Sequence, residues 1–360
     1  MAGTSLPDWL HIYKEETRGN FMKRGLSLAF VYIGLVIGAG FASGREVMEY
    51  FNFPSRSDHS GIVLATFLLI VLCYIILHRA NTAGVTTYEE YLSLVAGKMA
   101  RPVKLFMLFY LFCGFFTMLA GSGALLSQNY MLPPIAGVLL LAGVCFLVLT
   151  FDLKGIVAVN TLLVPCMIAG ILYLCITAAL FGTASAFSLH RLTGGVLTSA
   201  ICYVSYNTIS AASVLVPLQK GMGMKEIRIA AVVGGFVLGL LILVIWAGQN
   251  LFFDALWNSE IPMLKLAAMT GRTQKQVYAA ILFMAILTTA VSQGFGILCS
   301  FGVKKTKERC FLSGMLCFLA IPFALLGFSN LVAYLYAFFG VVGILWMGWV
   351  LLDYFWLSRS

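Results

Sequence analysis

Apolar runs of about twenty residues, each long enough for a ~30 Å hydrocarbon core, recur along the whole chain between short polar stretches. Their spacing predicts ten membrane helices, over 25–52, 60–79, 102–129, 134–150, 154–181, 193–219, 227–252, 275–302, 309–327 and 329–355. Polar segments such as QKGMGMKEIR and GVKKTKER separate them. The opening residues 1–24 are polar and read as a cytoplasmic segment, since the apolar run behind them has spanning length rather than that of a secretory leader. Residues 25–360 then make one transmembrane domain. In the long external stretch 253–274, IPMLKLAAM is apolar enough to dip back as a short helix.

Composition agrees with the pattern. Of 360 residues 61% are hydrophobic and 10% charged, with a mean hydropathy of +0.96. A soluble domain carries about a quarter charged residues, so this chain has too few to face water. The fold class is an all-α polytopic membrane protein. The net charge of +9 is explained by loops, not by nucleic acid. Lys14, Arg18, Lys23, Arg24, Lys304, Lys305, Lys307 and Arg309 share one side; the other has Arg56, Arg191, Lys265, Arg272 and Lys275. The positive-inside rule places both termini in the cytoplasm of a multi-pass cell-membrane protein.

The nine cysteines fall nearly all in apolar spans, without paired ligand spacing, and read as small buried hydrophobes. His11, His59, His78 and His190 are scattered. Nothing here predicts an enzyme, a cofactor or an obligate protein partner.

A shift of about 168 residues lays spans one, two, three and five over six, seven, eight and ten. Five is odd, so a second repeat (193–355) would run inverted to the first (25–181). Inverted repeats are a hallmark of secondary transporters, whose site lies at the repeat interface near the midplane. Under this overlay GLVIGAGFASGREVMEY, 34–50, falls on ICYVSYNTISAASVLVP, 201–217. Both are polar or glycine-rich interruptions at mid-span.

Gly34, Gly38, Gly40 and Gly44 allow two readings. As two G-x-x-x-G pairs they would let helices pack closely. Alternatively the helix unwinds near Gly38 to Gly44 and restarts near Arg45, which lipid tolerates only where the backbone is buried or lines a cavity. Such a break offers carbonyls for a cation and N–H groups for an anion, together complementary to a zwitterion.

FVYIGLVIGAGFASGREVMEYF resembles the first helix of the YkvI family of bacterial membrane proteins, within the amino acid–polyamine–organocation superfamily. The resemblance implies the LeuT-type five-plus-five inverted repeat, with helices one and six discontinuous and lining the solute. By this resemblance 253–274 would cap the external vestibule.

Candidate solute-binding residues are Gly38, Ala39, Gly40, Phe41, Ser43 and Gly44 in the first span, Thr117 in the third, and Tyr203, Ser205, Tyr206, Asn207 and Thr208 in the sixth. The hydroxyls of that last run either line the cavity or bond back to their own helix. In LeuT-type sodium transporters adjacent hydroxyls of span eight complete a sodium site with carbonyls of the broken first helix. Thr288 and Thr289 match that adjacency, with Gly38 as carbonyl donor and Ser292 as an alternative ligand. Oxygen ligands suit a hard cation. Glu46 is the competing candidate, for proton coupling, unless it or Glu49 is a structural partner of Arg45.

The expected function is ion-coupled, alternating-access transport of a small zwitterionic or organic-cation solute, an amino acid being the simplest. Sodium or protons would drive it. The alternative is a non-transporting membrane sensor on the same fold, as in germinant receptors. A channel lacks support, for no ring of pore charges or repeated filter is present.

Overall fold

The computed structural model describes residues 21–51, 60–151, 156–181, 195–301 and 305–356. The expected cytoplasmic segment 1–24 lies almost wholly outside these, as do both termini, His11, His59, His190, Arg56, Arg191 and Lys304.

The described residues form helices and turns, with no strand among them. The first span is three pieces: α1 (Phe21–Val36), a single turn α2 (Ala39–Ala42) and α3 (Arg45–Phe51). Then follow α4 (Ser60–Thr82), α5 (Tyr88–Ala96), α6 (Ala100–Tyr130), α7 (Pro134–Phe151) and α8 (Ile156–Phe181). The second half holds α9 (Val196–Leu218), α10 (Met224–Leu251), the short α11 (Phe253–Leu256) and α12 (Pro262–Thr270), then α13 (Arg272–Ser300) and α14 (Thr306–Ala324). One turn, α15 (Phe328–Leu331), leads through a π-helical stretch, Val332–Tyr336, into α16 (Ala337–Trp356).

Eight segments among the described residues are long and apolar enough to cross a membrane. The first predicted span misses this measure because it is cut into pieces. The ninth, α14, misses it because Lys307, Glu308 and Arg309 open it. The expected short helix in 253–274 is present as α12, with Met263, Leu264, Leu266 and Ala267 all buried. A broken helix six is not: α9 runs unbroken from Val196 to Leu218. Its sequence contains no glycine, and its only proline, Pro217, stands in the last turn, so nothing releases its backbone.

Small residues bring the central helices together. A Cβ on Gly234 of α10 would stand 2.6 Å from the ring of Tyr32 in α1, and a Cβ on the adjacent Gly235 would meet Ile70 of α4. Thus α10 holds α1 and α4 on neighbouring faces, while α9 packs against α4 and α16. Outward-facing Phe318, Leu180 and Phe311 are 75%, 70% and 71% exposed, which suits contact with lipid. At the basic side, polar ties join distant elements: Arg79 to Asp353 at 2.5 Å, Asn81 to Gln219 at 2.8 Å and Arg24 to Glu226 at 3.2 Å.

Candidate functional site

The break in the first span lies between two glycines of different conformation, of which only Gly44 requires glycine. Gly38 is extended (φ −87°, ψ −173°) and ends α1. Gly44 has φ +76°, the left-handed region that disfavours a side chain. A Cβ there would also collide with the Gln249 amide and the Met263 side chain. Between them Ser43 closes the turn: its hydroxyl donates to the Gly40 carbonyl at 2.6 Å and accepts from the Arg45 amide at 3.1 Å.

The exposed ends of the break are claimed by neighbouring elements. Gln249 of α10, fully buried, donates to the Gly44 carbonyl at 2.7 Å. Tyr278 of α13 donates to the Ala42 carbonyl at 2.6 Å, and the Met263 amide of α12 to the Ser43 carbonyl at 3.0 Å. These three residues escaped sequence reasoning. Gln249 had a visible signal, an amide near the end of a long apolar helix. Tyr278 and Met263 had none.

The helix restarts with Arg45 and Glu46, both buried, and the two part company. Arg45 pairs with Glu49 one turn on, and its Nη1 reaches the carbonyls of Trp257 and Ser259 at 3.3 and 3.4 Å. Glu46 instead folds back towards α2. Its Oε1 lies where a Cβ on Gly40 would be, and its Oε2 accepts from the Tyr206 hydroxyl of α9 at 2.6 Å. Glu46 is 5% exposed, and Tyr206 stands at the middle of α9. A carboxylate is thus shared between two spans that face each other across the core.

Around it the rings of Tyr50, Tyr203 and Tyr206 lie 5.6–5.8 Å apart, and Tyr336 from the π-helical stretch lies 5.2 Å from Tyr206. The hydroxyls of Tyr50 and Tyr203 are buried without a hydrogen-bond partner. Tyr50 and Tyr336 were not singled out in the sequence, because aromatics are common in membrane helices.

The rest of the polar run on α9 points elsewhere. Asn207 donates to the Tyr203 carbonyl at 2.9 Å, and Thr208 to the Val204 carbonyl at 2.7 Å. Ser205 donates to Gly340 of α16 at 2.6 Å, so it joins two helices. Thr117 likewise bonds to its own helix, at Cys113, at 2.8 Å. Ala39 and Phe41 are fully buried in the single turn α2.

On α13 the hydroxyl of Thr289 is 3.9 Å from the position a Cβ on Gly38 would take. Thr288 is buried and donates to Ala285, at 3.1 Å; Ser292 is exposed and donates to the Thr288 carbonyl. The structure therefore brings Thr289 to the break and turns Ser292 away. Among the described residues no cluster of His, Cys, Asp and Glu could hold a metal ion.

No protein-family profile matches the chain. Over 331 residues it is 29% identical to the uncharacterized protein YyaD of Bacillus subtilis, covering 89% of this chain and 94% of that one. It is 28% identical over 330 residues to the uncharacterized membrane protein YkvI of the same organism, covering 89% and 93%. The resemblance to YkvI thus extends far beyond the first span. Among solved structures, the fold matches the inward-facing conformation of Mhp1 with a TM-score of 0.66, at 14% identity over 93% of this chain and 77% of that one. It also matches a Na+-coupled sialic acid symporter (TM-score 0.56, 14% identity, 96% and 80% covered) and a manganese transporter of Eremococcus coleocola (0.58, 12%, 90% and 77%). The chain is a multi-pass helical membrane protein with the fold of LeuT-type transporters.

Proposed function

We propose that this protein is a secondary transporter of the cell membrane, with both termini cytoplasmic. It moves a small ammonium-bearing solute, an amino acid or an organic cation, by alternating access. The observation that carries this reading is the Glu46–Tyr206 contact. A buried ionisable side chain in a membrane protein is costly and marks a solute or ion path. Here it bridges a broken first span and an opposed sixth one. The reciprocal packing of α1 on α10 and of α9 on α4 supports the five-plus-five inverted repeat, since the overlay exchanges these two pairs.

Coupling is assigned to sodium, between the carbonyl end of α1 at Gly38 and the hydroxyls of Thr288 and Thr289, or to a proton on Glu46. The proximity of Thr289 to Gly38 favours the sodium arm. The restarted helix does not offer all of its first N–H groups to a solute carboxylate. Ser43 caps Arg45, and Glu46 puts the chain's own carboxylate in that first turn.

The test is uptake into proteoliposomes from a mixed pool of amino acids and amines, with inward sodium and proton gradients imposed separately and the lumen read by mass spectrometry. Concentrative uptake under one gradient is expected, and its loss in Glu46→Gln. Saturable binding without uptake under either gradient would replace this reading with a membrane sensor.

A further inference from the structure

The surroundings of Glu46 supply one sign of charge. Arg45, the nearest base in sequence, turns its two terminal nitrogens to Glu49 and to the Trp257 and Ser259 carbonyls, leaving its buried Nε without a partner. No cationic side chain among the described residues pairs with Glu46, whose one hydrogen-bonded partner is Tyr206. The rings of Tyr50 and Tyr203 lie 5.6–5.8 Å from one another and from Tyr206, whose hydroxyl holds Glu46, and Tyr336 lies 5.2 Å from Tyr206. A carboxylate walled by tyrosine rings is the arrangement that recognises an ammonium group: the charge attracts it, and ring faces add cation–π attraction.

Two further hydroxyls leave hydrogen-bonding capacity for a ligand. Tyr203 is fully buried and Tyr50 is 6% exposed, yet neither hydroxyl has a partner. Orphaned polar atoms so deep are uncommon and costly. An alkylammonium has up to three N–H donors, enough for Glu46 and both phenol oxygens. A solute carboxylate would find repulsion from Glu46, with which no cationic side chain among the described residues is paired.

We propose that the solute is an organic ammonium ion lacking a carboxylate, bound by Glu46 within the cage of Tyr50, Tyr203, Tyr206 and Tyr336. This rests on the solute-site reading above and narrows it, from amino acids and cations to cations.

Matched pairs test it. The full-length chain in nanodiscs is titrated by calorimetry with isopentylamine against leucine, cadaverine against lysine, agmatine against arginine and phenethylamine against phenylalanine. Each pair shares a side chain and differs by one carboxylate. At least one amine is expected to bind roughly tenfold or more tighter than its amino acid, a gap that loss of a charge clash supports. Glu46→Gln, which keeps the acceptor for Tyr206, should weaken that amine about a hundredfold. Tyr203→Leu should weaken it roughly tenfold, while Tyr203→Phe, which keeps the ring face, should lose less.

An amino acid that binds as tightly as its amine overturns the proposal while leaving transport in place. Absence of binding by every amine also overturns it, and so does amine binding that Glu46→Gln leaves unchanged. Amine binding without uptake in proteoliposomes supports the cage but removes the transport reading, so the two failures are distinguishable. A melting-temperature measurement on each variant separates lost binding from lost folding.

Discussion

The first and sixth spans carry comparable polar interruptions at mid-span, yet one is broken and the other is not. In 34–50 the interruption is glycine, and the backbone leaves the helix at Gly38 and again at Gly44. In 201–217 it is hydroxyl and amide, and the helix continues. Asn207 and Thr208 bond to carbonyls one turn back, and Ser205 bonds to the next helix. Polar side chains in a membrane helix can satisfy themselves locally, whereas glycine frees the backbone and needs other elements to claim it. Here Gln249, Tyr278 and Met263 do so. Polarity in a span is therefore a weaker sign of a break than glycine.

Substitutions can break or sharpen this contrast. The largest effect is expected at Gly44, whose φ of +76° and contact with Gln249 both reject a side chain. Gly44→Ala should cost about 2–5 kcal/mol from left-handed strain and overpacking together, read as a sharp drop in melting temperature and in folded yield. Gln249→Leu removes the donor to the Gly44 carbonyl, and about 1–3 kcal/mol is expected from the buried acceptor left behind. A denaturation series on the purified chain measures it.

Gly40→Ala is a subtler probe. Its Cβ would collide with the Glu46 carboxylate, the free end of a flexible chain, so the side chain moves and the fold remains. Uptake should fall by roughly tenfold, one misplaced hydrogen bond to a charged group, with melting temperature little changed. Equal loss of both would mean that Gly40 serves packing alone.

The smallest effects belong to Gly38 and to Asn207. Nothing nearer than Thr289, at 3.9 Å, meets a Cβ on Gly38, and its φ of −87° is open to any residue. Gly38→Ala should shift stability by less than about 1 kcal/mol. A close-packed G-x-x-x-G pair would instead cost about 1–3 kcal/mol on overpacking. Asn207→Leu, which removes a buried side chain bonded to its own helix, should leave uptake within about twofold. A large loss there would restore Asn207 to the solute path.

Much of the architecture could be read before any coordinates. Apolar run lengths placed helices near their observed bounds, because hydrocarbon thickness sets a length that composition reveals directly. The buried helix at 262–270 was visible from the apolar character of IPMLKLAAM. The glycine spacing marked where the first span opens. What could not be read was which polar groups meet. Of Glu46 and Glu49 only Glu49 stands at helical spacing from Arg45, but that Arg45 also reaches the Trp257 and Ser259 carbonyls, some two hundred residues away in sequence, was not readable. Thr117, Ser205, Asn207 and Thr208 looked like cavity residues because hydroxyl and amide chemistry does not reveal direction around a helix.

The amino-acid sequence by itself determined that this chain is helical and lipid-embedded, and marked its first span as a place where a helix could open. Both follow from local terms, the transfer of apolar side chains and the freedom of glycine. Only the tertiary structure decided that α9 stays whole, that Glu46 turns to Tyr206 instead of Arg45, and that four tyrosines from α3, α9 and the Val332–Tyr336 stretch meet around it. Those are pairwise outcomes among residues far apart in the chain, settled by which partners packing brings within hydrogen-bond reach.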